Sequence, residues 1–171
     1  MNTSRTLNSS NANHLRLPDV NIKRVLVPVD FSACTLETLS YATALARPFD
    51  AVVDVLHVIQ PCRDRNRGTW GHPGLLCTMS EGARHELTRL VGVLRTAEDR
   101  AKFSIRVREG CASEVILNEA CSSNATLIVM GMRTRSWLSR WLRRHTTRQV
   151  IQNSPCPVIV LRSGMKASLA N

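Results

Sequence analysis

The stretch Ala125–Arg148, ATLIVMGMRTRSWLSRWLRRHTTR, divides into two halves of opposite character. Ala125-Thr126-Leu127-Ile128-Val129-Met130 is a continuous apolar run, the pattern of a strand buried on both faces inside a parallel sheet. The run stops at Gly131 and gives way to a polar segment with six arginines, two tryptophans and no acidic residue. A glycine just past the carboxyl end of a buried parallel strand is where open α/β sheets place ligand loops, because backbone can approach a ligand there. Gly131 serves equally well simply to end the strand, and on this residue alone the two readings stay open.

Outward from this stretch the same pattern recurs. Lys23 to Asp30 (KRVLVPVD) reads as a buried strand ending at Asp30, with Pro28 placed where the ladder is already ending. Ser32 is the expected N-cap of a helix over Ala33–Ala46, which Arg47-Pro48 terminates. Ala51 to Val58 (AVVDVLHV) is the second strand and completes a right-handed β-α-β unit. Ile59 to Thr78 carries Pro61, Gly68, Gly71, Pro73 and Gly74 without a period and reads as a long loop. Ser80 to Arg95 shows helical spacing, with Ala83, Leu87, Leu90 and Leu94 on one stripe. A third strand over Phe103–Val107, a helix over Ala112–Cys121, the strand at Ala125, a helical stretch at Thr146–Gln152 and a last strand at Pro157–Leu161 complete the order. Strict alternation predicts a single α/β domain with one parallel sheet covered by helices on both faces.

A chain of 171 residues with 43% hydrophobic content is long enough for one sizeable core, packed mainly by aliphatic side chains given 4% aromatics. The expected division is a flexible leader over 1–21, a folded domain over 22–163 and a flexible tail over 164–171. No apolar run approaches the roughly 20 residues of a membrane helix, so no integral membrane contact and a cytoplasmic location are expected. Six cysteines, Cys34, Cys62, Cys77, Cys111, Cys121 and Cys156, lack metal-ligand spacing and read as reduced, several of them as small core residues. Cys62 and Cys77 fall in the expected loop, where a redox role is the less favoured alternative.

The net charge of +10 and pI near 10.4 favour anionic partners. Arg133, Arg135, Arg140, Arg143, Arg144 and Arg148 concentrate much of that charge in one segment. Three readings compete: arginines as phosphate contacts; a nucleic-acid or membrane surface in which Trp137 and Trp141 stack or insert; or a solvated rim over a core covered by Leu138, Trp141 and Leu142. Asp30 would share a crevice with Gly131 if their strands are neighbours, and could accept hydrogen bonds from a base or ribose. The alternative is a loop aspartate capping the next helix. His57, His72, His85 and His145 assemble no catalytic set, and no nucleophile elbow, phosphate-binding glycine motif or metal spacing accompanies them.

Taken together, these segments resemble the universal stress protein family. Arg24 to Ser32 is similar to its opening strand, Leu56-His57-Val58 to the end of its second strand, and Leu127–Gly131 with Arg133, Arg135-Ser136 and Leu138 to its fourth strand and following loop. Ser154 to Val160 is similar to its closing strand, so the resemblance runs from about Lys23 to Arg162. It implies a five-stranded parallel sheet of order 3-2-1-4-5, Rossmann-like, and a homodimer through the last strand, Pro157–Leu161. It also implies an adenine-nucleotide pocket at Pro28, Asp30, Val58, Met130 and Gly131, continued by positions 134, 144, 145 and 146.

ATP-binding members resemble G-x2-G-x9-G-[S/T] after the fourth strand. Here Gly131 matches the first glycine, while Thr134, Arg144 and His145 stand where the second glycine, the third glycine and the hydroxyl are expected, followed by Thr146. Side chains at two positions where backbone must approach phosphate argue against tight ATP binding. The expectation is a non-catalytic stress-response module with no resident cofactor, leaving room only for slow ATP hydrolysis. The alternatives are an adenine-nucleotide sensor with a modified phosphate loop, for which ATP or AMP is the candidate ligand, and a nucleic-acid or acidic-partner binder through residues 133–148.

Overall fold

The computed structural model describes residues 21–60, 73–95, 102–132 and 146–162. The elements run β1 (Arg24–Val29), α1 (Thr35–Ala46), a one-turn 3-10 helix (Arg47–Phe49), β2 (Val52–Ile59), α2 (Pro73–Leu94), β3 (Lys102–Glu109), α3 (Ala112–Ser122), β4 (Leu127–Met132), α4 (146–153) and β5 (Val158–Arg162). All described strand pairs are parallel and the sheet order is β3-β2-β1-β4-β5.

The continuous apolar strands are explained by burial on both faces. Val25, Val27, Val29, Val53, Val55 and Val129 point to one side, where Leu39 and Ala42 of α1 and Ala83, Leu87 and Val91 of α2 cover them. Leu26, Leu56, Ile128 and Met130 point to the other, under Ile116 and Ala120 of α3 and Val150 of α4. Each fully buried valine or leucine contributes on the order of 1.5–3 kcal/mol of transfer free energy, so this double layer dominates the stability.

Several boundaries differ from the sequence reading. Gly131 does not end the fourth strand, which continues through Met132 because β5 runs alongside and pairs Gly131 with Leu161 and Met132 with Arg162. α1 starts at Thr35, with Cys34 rather than Ser32 at the N-cap position. Ser32 is occupied by a turn: Asp30 Oδ1 accepts its N–H at 3.0 Å, Phe31 takes a left-handed φ of 54°, and the Ser32 carbonyl accepts the Thr35 N–H. α2 starts at Pro73 inside the expected loop, a proline being well suited to the first helical position, and it places Cys77 on a helix. Its first turns are mostly exposed, which is why residues 74–79 show no apolar period.

Two features tie the sheet at its amino end. Thr126 Oγ1 accepts the backbone N–H groups of Lys23 and Arg24 at 3.0 and 3.1 Å and donates to the Arg24 carbonyl, stitching β4 to β1. Asp54, fully buried in mid-β2, is held bidentately by Arg24 Nη1 at 3.1 and 2.8 Å, with Arg106 at 3.9 Å. Arg106 and Arg108 continue the network to the buried Glu119 of α3. A buried carboxylate needs such partners, since desolvation without them is prohibitive.

Candidate functional site

The site is created by where the strands part. β1 pairs with β4 only at Val25–Leu127 and Leu26–Ile128, whereas its register with β2 continues to Val29–His57. Pro28, with no N–H to donate, lies beyond the last β4 pairing and costs that ladder nothing. The carboxyl ends of β1 and β4 therefore frame a crevice at the point where the order of the sheet reverses, the general ligand position in open α/β folds.

A cavity of about 680 Å³ fills this crevice. Pro28 and Asp30 line it from β1, Val58 from β2, Met130 and Gly131 from β4, and Thr146 from the start of α4. The structure thus brings six of the sequence-derived candidates to one cavity. Thr134, Arg144 and His145 lie outside the described residues, as do Arg133, Arg135, Arg140 and Arg143. Arg148, on α4, is exposed.

The rest of the lining carries polar groups that the sequence reading passed over. His57 bonds the Val29 carbonyl through Nδ1 at 2.9 Å, and its ring lies 4.3 Å from that of Phe31 at 40°. Gln60 and Thr147 join the rim. From the first turns of α1 come Cys34, Thr35 and Thr38. The signal for these was the run of small residues Ser32-Ala33-Cys34-Thr35, three of them bearing a hydroxyl or thiol, two residues after a strand end, the place where a helix amino end meets a crevice.

Three threonines of α1 are buried and differ in how their hydroxyls are satisfied. Thr38 Oγ1 donates to the Cys34 carbonyl and Thr43 Oγ1 to the Leu39 carbonyl, each at 2.8 Å and one helical turn back. Thr35 stands in the first turn, where the residue four back, Phe31, belongs to the preceding turn and not to the helix. Its Oγ1 has no hydrogen-bond partner among the described residues. Asp30 is exposed at the mouth. The cavity is therefore apolar on its sheet side and polar at its α1 and α4 ends, the composition of a small-molecule site.

The family model described as the universal stress protein family matches residues 21–162. Universal stress protein MJ0531 of Methanocaldococcus jannaschii is 29% identical over 145 residues, covering 84% of this chain and 84% of that protein. The solved hypothetical protein MJ0577 superposes with a TM-score of 0.69 at 25% identity, over 84% of this chain and 97% of that one. Two more distant neighbours, at 14% and 21% identity and TM-scores of 0.59 and 0.57, are universal stress proteins solved in complex with cAMP and with dAMP; they cover 84% and 82% of this chain and 98% of each of those. A parallel sheet of order 3-2-1-4-5 and a match spanning all five strands leave one assignment: this chain belongs to the universal stress protein family.

Proposed function

We propose that the protein is a non-catalytic stress-response module whose crevice holds the adenosine part of a nucleotide without gripping a triphosphate tightly. The observation that carries the reading is the cavity at the β1–β4 divergence, with Asp30 at its mouth and Val58 and Met130 in its wall. About 680 Å³ lies within the usual range for small-molecule pockets. An apolar wall suits a base, and the Asp30 carboxylate suits ribose hydroxyls. The neighbours solved with cAMP and dAMP support a ligand of this class. Thr134 and Arg144, in place of glycines, support weak rather than tight hold on a triphosphate.

Calorimetric titration with AMP and with ATP-Mg, each at two salt concentrations, tests this. AMP binding at or below about 100 μM, roughly 5.5 kcal/mol, with weaker ATP binding, is the expected result. No heat with either nucleotide overturns it. Binding of ATP alone, falling steeply with salt, would transfer the role to the arginine segment.

We further propose that two copies associate through β5. Among the described residues β3 and β5 are the outer strands of the sheet, and β3 carries Lys102, Arg106, Arg108 and Glu109, which discourage edge pairing. β5 reads VIVLR and keeps Val158, Ile159, Val160 and Leu161 only half-buried. Light scattering at micromolar concentration is expected to give twice the chain mass; a monomer there removes this proposal.

A further inference from the structure

Cys121 and Cys156 come together at the amino ends of β4 and β5, and neither lines the cavity. Asn124, at a left-handed φ of 54°, and the Ala125 N–H, which donates to the Ala120 carbonyl at 2.9 Å, end α3 in a tight reversal. The chain passes at once into β4, so the last turn of α3 stays beside the start of that strand. β5 runs alongside: the Ile128 N–H donates to the Pro157 carbonyl at 3.0 Å, and Ile128 pairs with Val158. Two residues back along that register Cys156 stands opposite Thr126, about 4.8 Å away at the usual strand spacing. Cys156 and Ala125 pack on the cluster that contains Ala120, the residue before Cys121. The two sulfurs also act on each other: burial pushes the Cys156 thiol up, the Ser154 hydroxyl draws it down, and the charge of Cys121 adds to the rise. Cys121 is exposed and Cys156 half-buried. Cys34, Cys77 and Cys111, by contrast, have Ser32, Glu81 and Ser113 beside their sulfur.

We propose that Cys121 and Cys156 form a dithiol that a small disulfide oxidises to an internal bond, tying the end of α3 to the entry of β5. The Cys121 thiolate, exposed and so met first, attacks one sulfur of R–S–S–R; that bond breaks as Cys121–S–S–R forms. The first R–S⁻ departs and takes up the proton that Cys121 released. The Cys156 thiolate then attacks the Cys121 sulfur, the second R–S⁻ leaves with the proton from Cys156, and the Cys121–Cys156 bond remains. Two protein thiols are oxidised and one disulfide is reduced to two thiols, so no further oxidant enters. Cys156 is half-buried and slow toward a reagent in solution, but the sulfur of Cys121 is presented to it at high local concentration. The bond closes a loop in the unfolded chain and so stabilises the fold. It depends neither on a nucleotide in the cavity nor on pairing through β5.

The test incubates the reduced, folded full-length protein with hydroxyethyl disulfide, blocks the remaining thiols and maps every cysteine without reduction. Trypsin with a glutamate-specific protease separates Cys111 from Cys121, because Glu114 and Glu119 lie between them. The expected product is a Cys121–Cys156 linked peptide from a chain that runs as a monomer on a non-reducing gel and reverts with reductant. Cys156→Ser should stop at the mixed disulfide on Cys121. In Cys121→Ser, Cys156 should take up the reagent at least about tenfold more slowly than Cys121 does in the parent. A parent that keeps the mixed disulfide on Cys121 as long as Cys156→Ser does overturns the proposal, and so does a Cys121 bond to another chain or to another cysteine. Both results come from the parent's own peptides, so a variant that folds poorly leaves the decision intact. The linked protein should melt about 3–10 °C above its reduced form, a difference absent from both variants. A link that forms without raising the melting temperature overturns the native placement of the pair.

Discussion

Thr38 Oγ1 lies so close to Gly131 that a Cβ on that glycine would stand 2.5 Å from it. The Thr38 hydroxyl is held there by its 2.8 Å bond to the Cys34 carbonyl, so the neighbour cannot simply swing away. Glycine at 131 is therefore required by the seating of α1 on β4, whatever the cavity holds. Gly131→Ala is expected to cost about 1–3 kcal/mol, the usual range for overpacking. Adding Thr38→Ala should return part of that loss, and urea denaturation of the single and double variants measures the coupling. A single variant as stable as the parent would show that this packing is looser than described.

The Asp54 carboxylate ties β2 to β1 and β3 through Arg24 and Arg106 at full burial. Asp54→Asn keeps the shape but leaves two guanidinium groups facing an uncharged amide. Breaking a fully buried pair costs about 3–5 kcal/mol; Arg24 and Arg106 retain 31% and 27% side-chain exposure, so a loss of about 2–4 kcal/mol is expected here. Chemical denaturation reads this directly. A loss below about 0.5 kcal/mol would mean the network contributes no more than a surface pair.

Asp30 offers the cavity mouth a carboxylate while one oxygen shapes the turn to Ser32. Asp30→Asn preserves an acceptor for the turn and removes the charge. Hydrogen bonds to a charged group contribute about 1.5–3 kcal/mol, so AMP affinity should fall at least about tenfold with little change in melting temperature. Equal affinities in calorimetry would remove Asp30 from the ligand site.

The loop substitutions make a prediction of opposite sign. Replacing Thr134→Gly, Arg144→Gly and His145→Ser together should raise affinity for ATP-Mg by about tenfold while changing AMP binding little, since the altered positions face phosphates in the family's pattern. If the ATP affinity of the triple variant does not rise, the side chains at 134 and 144 are not what weakens the hold on phosphate.

Much of the architecture was legible because it is local. Unbroken apolar runs such as Val25–Val27 and Leu127–Met130 declare strands buried on both faces, and the alternation of strands with helical stripes dictates a parallel α/β sheet. Boundaries were less legible where an exposed first turn has no apolar period, as in α2, or where a turn displaces a helix start, as at Asp30–Ser32. Pro28, Asp30, Val58, Met130, Gly131 and Thr146 were nameable as cavity residues only because several motifs occurred together in family order.

By itself, then, the sequence determined the fold class, the order of the elements and the burial of the central strands on both faces, all of which follow from period and composition along the chain. Tertiary structure alone decided which side chains meet. Gly131 is a packing residue because Thr38 lands on it, Asp54 is tolerable because Arg24 and Arg106 arrive on the same face, and Cys34 and Thr35 reach the cavity because β1 and β4 part above Leu26. The physical reason is one of range: burial periodicity is written within a single element, whereas a cavity and its unpartnered groups exist only where elements distant in sequence pack together.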